Sequence, residues 1–175
     1  VDIEGRQYDV LIEPLRPPHA LVVIGDGIGA RMLSELSLQL GWHTTLVDPA
    51  QANGDGSDGI RRLALSARAL ANQVVFDAMT SAVVMTHRLE RDLDYLTALL
   101  DTPVGYIGAI GSRQRAAQIA AAFPQGDPRL HMPAGLDVGS ETPQEIALAV
   151  AAEILAIRNG KQGGLLSRTR TPIHA

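Results

Sequence analysis

The sequence predicts an α/β domain built on a doubly wound, mainly parallel sheet with helices on both faces. Three observations carry the prediction. Ala20–Ile24 and Ala82–Met85 are short runs of apolar residues with no alternation, the pattern of strands buried on both faces. Segments with apolar residues at helical spacing lie between such runs. A strand, a glycine turn, a helix and a second strand follow one another near the N-terminus within about 30 residues, the size of one βαβ unit. At 175 residues the chain fits one domain with its own core.

Pro17-Pro18 precedes the first strand, Ala20–Ile24, and Gly25 follows it. Met32, Leu33, Leu36 and Leu40 then recur at helical spacing over Arg31–Leu40, and Gly41 supplies a C-terminal stop. Thr44–Val47 reads as the second strand, closed by Asp48-Pro49, and the polar, glycine-bearing stretch Gln51–Gly59 as a loop. Val74–Phe76 and Ala82–Met85 both look like strands, but Asp77–Ser81 is too short for a parallel crossover, which takes a dozen residues or more. The prediction is therefore a short strand at Ile60–Leu65, a helix from Ala67 to about Asp77 capped by Ser66, and a strand at Ala82–Thr86.

Leu89, Leu93, Leu96 and Leu100 stripe the next helix and leave Arg91, Asp92 and Asp94 off the apolar face. Val104–Ile107 follows as a strand, and Ser112–Ala122 as a helix stopped by Pro124. Residues 125–139 read as an ordered loop, because Leu130, Met132 and Leu136 give it something to bury. Thr142-Pro143-Gln144-Glu145 has the form of a capping box with proline in the first turn. Ile146, Val150, Ile154 and Ile157 line the helix it opens, and Asn159-Gly160 ends it. The expected organisation is a lead-in over residues 1–19, one Rossmann-like domain over 20–160 and a flexible tail over 161–175.

Composition removes several classes of function. Without cysteine there can be no disulfide, thiolate zinc site, iron–sulfur cluster, cysteine nucleophile or persulfide. Fifteen Lys and Arg against nineteen Asp and Glu give a net charge of −4, a poor balance for binding nucleic acid. No apolar run approaches the roughly 20 residues that span a bilayer. The start, Val1-Asp2-Ile3-Glu4, lacks the basic and apolar regions of a signal peptide, so a cytoplasmic domain is expected. It also lacks an initiator Met, which suits a fragment or a processed product.

Gly25-x-Gly27-x-x-Ala30 sits at a strand-to-helix turn, the setting of the dinucleotide fingerprint. In that motif the first glycine makes the turn, the second lets a pyrophosphate approach the backbone, and a small third residue keeps helix and strand close. Gly29 belongs to the same stretch, and the helix N-terminus behind it favours an anion. Asp48 ends the next strand about 20 residues past Gly27, where such folds place a ribose-binding acid. Asp26 points the other way, since an acid in this turn repels a pyrophosphate unless it faces outward. Gly108-x-x-Gly111-Ser112-Arg113 forms a second glycine turn, in which Ser112 and Arg113 offer donors to a phosphate or carboxylate. His87 follows the strand Ala82–Thr86 and falls at the same carboxyl edge. His131 reads as an ordinary loop histidine, Glu141 and Glu145 as helix-end acids, and Arg61-Arg62 as a solvated edge.

Tyr106-Ile-Gly-Ala-Ile-Gly-Ser-Arg113, His131-Met-Pro-Ala-Gly-Leu-Asp-Val-Gly139, Glu141-Thr-Pro-Gln-Glu-Ile-Ala147 and Ala152-Glu-Ile-Leu-Ala156 resemble the C-terminal domain of the XdhC/CoxI family. These are accessory proteins of xanthine dehydrogenase and related molybdenum hydroxylases. Leu11–Pro18 resembles the segment leading into that domain, and Val84-Met-Thr-His87 with Asp92 resembles its middle motif. The resemblance implies a Rossmann-like domain that binds molybdenum cofactor (molybdopterin) and helps deliver it, sulfurated, to an apo-enzyme. It implies a homodimeric chaperone whose partners are the apo-molybdenum hydroxylase and a cysteine desulfurase. It also adds Thr86, Gly135 and Asp137 to the candidate cofactor contacts. The ligand would lie across Gly25–Gly29 and Gly108–Arg113, with Asp48 toward a ribose-like hydroxyl and His87 alongside. Two alternatives stand beside it. One is an NAD(P)-dependent oxidoreductase in the same crevice, for which His87 is the lone candidate base. The other is a degenerate domain that binds only protein, for which Asp26 and Ala50 speak. On the leading reading the chain is an accessory factor more than a turnover enzyme, and without cysteine it can hold the cofactor but cannot carry its sulfur.

Overall fold

A computed structural model describes residues 17–49, 54–56 and 58–168, together with residues 2–3, 5–7 and 9. The expectations for Leu11–Arg16, Ala50–Asn53 and residues 169–175 lie outside the described residues. Near the N-terminus β1 (Asp2–Ile3) and β2 (Arg6–Gln7) pair antiparallel, apart from the main sheet. The main sheet takes β3 (Ala20–Ile24), then α1 (Ile28–Gln39), β4 (His43–Val47), β5 (Gly54–Asp55), β6 (Arg61–Leu63) and α2 (Ala67–Gln73). It continues through β7 (Thr80–Val84), α3 (Leu89–Leu100), β8 (Tyr106–Ala109), α4 (Arg113–Ala122), β9 (Leu130–His131) and α5 (Pro143–Arg158).

The seven strands run in the order β5-β6-β4-β3-β7-β8-β9, parallel throughout except for β5 against β6. The chain winds outward from β3 through β4 to β6, then crosses back to β7 and winds outward again on the other side. Strand order therefore reverses between β3 and β7, and the carboxyl ends of these two strands form the topological switch point at which such sheets bind ligands. The fold is the Rossmann-like α/β arrangement that the sequence predicts.

Burial explains the unbroken apolar runs. Val22 and Ile24 of β3 with Ala82 and Val84 of β7 face one core, shared with Leu70 of α2, Leu96 and Leu99 of α3 and Ile119 of α4. The intervening Leu21, Val23 and Val83, with Met85, face a second core, closed by Leu33 of α1 and by Val150 and Ile154 of α5. Both faces of the central strands are covered, so neither strand shows the polar alternation of a half-exposed one.

Several boundaries differ from expectation. β7 runs from Thr80 to Val84, two residues earlier than the strand predicted at Ala82–Thr86, although the Met85 N–H still donates to the Ile24 carbonyl (2.8 Å). β8 lies later than the predicted Val104–Ile107 because Gly108, a poor strand former, is inside it. A Cβ at Gly108 would meet the Ala134 Cβ and the Tyr106 ring at 3.0 Å, so tertiary packing overrides propensity. The loop expected over 125–139 contributes β9, which extends the sheet by pairing with Ile107 and Gly108. Likewise β5 falls within the loop expected over 51–59. β6 is shorter than Ile60–Leu65, and α2 ends at Gln73 where Val74 turns extended. Helix α1 begins at Ile28 with Gly27 as its N-cap, ahead of the predicted Arg31. Ser66 occupies the N-cap of α2 but its side chain makes no capping bond. The capping box of α5 is present as read: the Thr142 hydroxyl accepts from Glu145 N–H, and the Glu145 carboxylate accepts from Thr142 N–H. Arg62 is not merely solvated, since it forks onto Asp58 at 2.6 and 2.9 Å. Among the described residues no helix is long and apolar enough to cross a membrane.

At the opposite, amino edge of the sheet, His19 is only 3% exposed. Its Nε2 lies 3.0 Å from the Ser81 hydroxyl, and its ring meets Trp42 edge-on at 4.8 Å. Burial, reinforced by the charge of Arg158, lowers the His19 pKa from 6.5 to about 4. The unfolded chain thus takes up a proton at this site near pH 6.5 while the folded protein resists until about pH 4. His19 consequently makes stability fall with pH across that window, by roughly 3 kcal/mol at most. His19→Gln, which removes the titrating group and keeps a polar partner for Ser81, is expected to flatten the slope between pH 6.5 and 4. Parallel urea titrations across that range check it; equal slopes in both proteins would refute the assignment.

Candidate functional site

The glycines after β3 are bare because the loop after β7 fills the space above them. Gly25 has φ of +156°, and a Cβ there would lie 2.6 Å from the Met85 carbonyl oxygen. A Cβ on Gly29 would lie 2.8 Å from the Met85 Cε. One on Gly27 would lie 2.7 Å from His87 Nε2, so the imidazole rests on the face of the second glycine. His87 is the one non-glycine residue with positive φ (+61°) among the described residues. That conformation costs an L-residue on the order of 1 kcal/mol, and the loop must be held to keep it.

Asp92 holds it. Though in the first turns of α3, Asp92 is fully buried, a correction to its expected place off the apolar stripe. Its Oδ1 accepts from the Thr86 N–H (3.2 Å) and hydroxyl (2.6 Å). Its Oδ2 accepts from Arg115 Nε (2.8 Å) and Nη2 (2.6 Å). Four donors compensate a carboxylate that burial alone would disfavour. Arg115 also points Nη1 toward the His87 carbonyl at 3.5 Å. Thus Thr86, Arg115 and Asp92 tie the loop after β7 to helices α3 and α4.

Beside this latch a cleft of about 390 Å³ opens between the β7 loop and the start of α4. Met85, Ile110 and His87 give it an apolar and aromatic side. Gly111, Ser112, Gln114, Arg115 and Gln118 give it a polar one. The volume is within the roughly 300–1,000 Å³ of small-molecule sites, and its place at the switch point is where this fold binds ligands.

Of the residues singled out in the sequence, His87, Gly111 and Ser112 line the cleft, and Gly25, Gly27 and Gly29 lie directly under Met85 and His87. Thr86 is buried on Asp92. Ser112 caps α4, accepting from the Arg115 N–H at 3.2 Å. Arg113 is exposed and does not line the cleft, whereas Arg115, two residues on, does. Asp26 is exposed, and Asp48, at the end of β4, is 4% exposed. Gly108 sits inside β8 rather than in the turn. Gly135 and Asp137 are outside the cleft: the Gly135 N–H donates to Glu153 of α5 (2.8 Å), while Asp137 is exposed.

Glu153 is itself a junction. Tyr106 donates to it at 2.6 Å, His131 Nδ1 lies 3.4 Å away, and the Tyr106 and His131 rings stack at 4.7 Å. Burial pushes the Glu153 carboxyl up, but the bonds from His131, Tyr106 and Gly135 outweigh it and hold it below the usual carboxylate range. Burial and that carboxylate together hold the Tyr106 phenol far above its ordinary range. The cluster fixes the loop after β9 to α5, and His131 is part of it rather than an ordinary loop histidine.

Sequence reasoning missed Arg115, Gln114 and Gln118 as cleft residues and Asp92 as their anchor. The signal was present in part: Asp92 and Arg115 are opposite charges on successive helices that both start at the carboxyl edge.

Comparison with known proteins follows the same outline. Residues 21–154 match the XdhC Rossmann domain family. The chain is 26% identical over 153 residues to a probable xanthine dehydrogenase subunit of Bacillus subtilis, covering 86% of this chain and 46% of that one. It is 35% identical over 88 residues to "Uncharacterized protein YqeB" of Escherichia coli, covering 47% of this chain and 16% of that protein. The chain thus spans less than half the length of these curated relatives. The crystal structure of a xanthine dehydrogenase from Bacillus halodurans superposes with a TM-score of 0.70 at 23% identity, over 82% of this chain and 45% of that one. At that identity the likeness is one of fold.

Removing one side of the latch leaves a buried charge without its partner. Arg115→Ala is expected to lower the free energy of unfolding by about 3 kcal/mol, and Arg113→Ala by less than about 0.5 kcal/mol. Urea denaturation of the two variants beside the parent chain decides it, and similar losses for both would mean the latch is not what holds this edge.

Proposed function

Since the chain belongs to the XdhC Rossmann domain family, we propose that it holds molybdenum cofactor in the switch-point cleft for a xanthine dehydrogenase-type hydroxylase, as an accessory factor. The observation that carries the reading is the cleft itself, which joins a cation, two carboxamides and an apolar wall at the ligand edge of the fold. Those groups suit a pterin bearing a phosphate. Gln114 and Gln118 each offer two donors and an acceptor to the edge of a heterocycle. Arg115 offers an anion its Nη1, which lies 3.5 Å from the His87 carbonyl, while its Nε and Nη2 are spent on Asp92. Met85 and Ile110 give a flat ring an apolar surface and keep water from it. When bound, the cofactor supplies the metal centre that the recipient enzyme needs; the residues of the cleft bind and orient it.

The chain's part in that task is retention and release. No cysteine is present to accept or donate sulfur, so sulfuration falls to another chain or domain, and a cysteine desulfurase is the expected donor. The names of the relatives support a xanthine dehydrogenase-type enzyme as the recipient. Function as a homodimer in the cytoplasm belongs to the same proposal. The nicotinamide dinucleotide alternative draws on the Gly25–Gly27 turn, with His87 as its lone candidate base.

The chain purified from cells that make molybdenum cofactor is expected to carry molybdopterin, detected as its fluorescent oxidation product, with molybdenum by mass spectrometry. Gln118→Ala is expected to weaken retention roughly tenfold, the worth of one or two hydrogen bonds. Absence of pterin from the parent chain, with the recipient enzyme still matured in its presence, would favour the protein-only reading instead.

A further inference from the structure

Resting on the switch point as the ligand site, we propose that His87 is its specificity-determining residue: the imidazole closes the Gly25–Gly27 turn to any bridging pyrophosphate. The ligand is then left with the α4 half of the crevice, where its anionic group must be a terminal one.

A glycine turn of this kind takes a pyrophosphate because the second glycine leaves its backbone uncovered. Here that face is covered from within the chain. The space of a single methyl on Gly27 is already taken, with His87 Nε2 at 2.7 Å and Cδ2 at 3.2 Å from where the carbon would sit. A phosphate is bulkier than a methyl, so both cannot occupy the turn. Nor is the imidazole on a loose loop. Thr86, the preceding residue, is bonded through both its N–H and its hydroxyl to a fully buried carboxylate, and the same carboxylate holds Arg115. That set fixes the backbone path that brings the exposed His87 side chain over Gly27.

On the other side of His87 the space is open. The cleft extends toward Gly111, Ser112 and Arg115, and among the described residues no carboxylate lines it. A compact group such as a phosphate monoester can reach the Arg115 guanidinium there without touching Gly27. His87 then divides the crevice: a wall for the β3 turn, and a side of the cleft for what binds beyond it.

The test uses NAD as a bridging-pyrophosphate probe, titrated calorimetrically into the whole chain. Glycine suits the +61° φ of residue 87, so His87→Gly should keep the loop's path while clearing the turn. The expected result is at least a tenfold tighter NAD complex in His87→Gly than in the parent chain. Adding Gly27→Val to His87→Gly should cancel that gain by refilling the space. His87→Asn, shorter and tolerant of positive φ, serves if His87→Gly gives no cooperative melt, and is expected to gain in the same direction. Equal NAD affinity in parent and cleared variants, or no binding to any of them, overturns the proposal. So does a gain that survives Gly27→Val. Copurification of molybdopterin is read on the parent chain alone, so failure of the cofactor assignment and failure of the His87 wall are separate results.

Discussion

Three glycines at alternate positions give up their side chains to the loop that follows the neighbouring strand, and most of the carboxyl edge follows from that. Gly25 faces the Met85 carbonyl oxygen closer than a Cβ could sit, and Gly27 and Gly29 face the ends of the His87 and Met85 side chains closer than a Cβ sits unless they shift. β3 and β7 are adjacent and parallel, with Ile24 opposite Val84, so their exits emerge side by side. Two chains leaving a sheet at one point need room, and glycine makes it. The motif that in other proteins bares the backbone to a ligand is used here to seat the adjoining loop. The close approach in turn fixes where Met85 and His87 can be, and so where the cleft begins.

That packing would be of little use if the loop could slide. Asp92 prevents it by placing a charge in the interior and satisfying it from two directions, the loop through Thr86 and the next helix through Arg115. A buried pair of this kind is seldom a bargain in stability against apolar side chains of equal volume. Its effect is on position, since the carboxylate is satisfied only when Thr86 and Arg115 are both in register. One side chain thereby couples the exit of β7, the start of α3 and the start of α4. These elements build the cleft.

The framework was legible in the sequence because burial writes itself as a local pattern. Val22 and Ile24 face one core and Leu21 and Val23 the other, so an unbroken apolar run could be read directly as a central parallel strand. The Thr142–Glu145 cap is local too, and was legible for that reason. What escaped depended on distant partners. Gly108 looked like turn material because its reason for being a glycine, Ala134 and the Tyr106 ring, lies elsewhere in the fold. β9 is two residues long and exists by pairing with β8. Asp92 looked exposed because helical periodicity assigns a charged residue to water unless its counter-charge is known, and that counter-charge is on another helix.

Arg115 shows the same limit at the site itself. Arg113 stands nearer the glycine turn in sequence, so motif reading favours it, yet in a helix two positions amount to a rotation of about 200°. With Arg113 turned to solvent, Arg115 faces α3 and the cleft. The anchor and the ligand-facing cation are thus one residue: two of its nitrogens hold Asp92 and the third lies toward the His87 carbonyl beside open space. An anion drawn to that nitrogen would compete with the His87 carbonyl but leave the Asp92 bonds intact. The arrangement separates holding the loop from meeting the ligand within a single guanidinium. A lysine there could not do both, because it offers one point of charge where this geometry requires a fork.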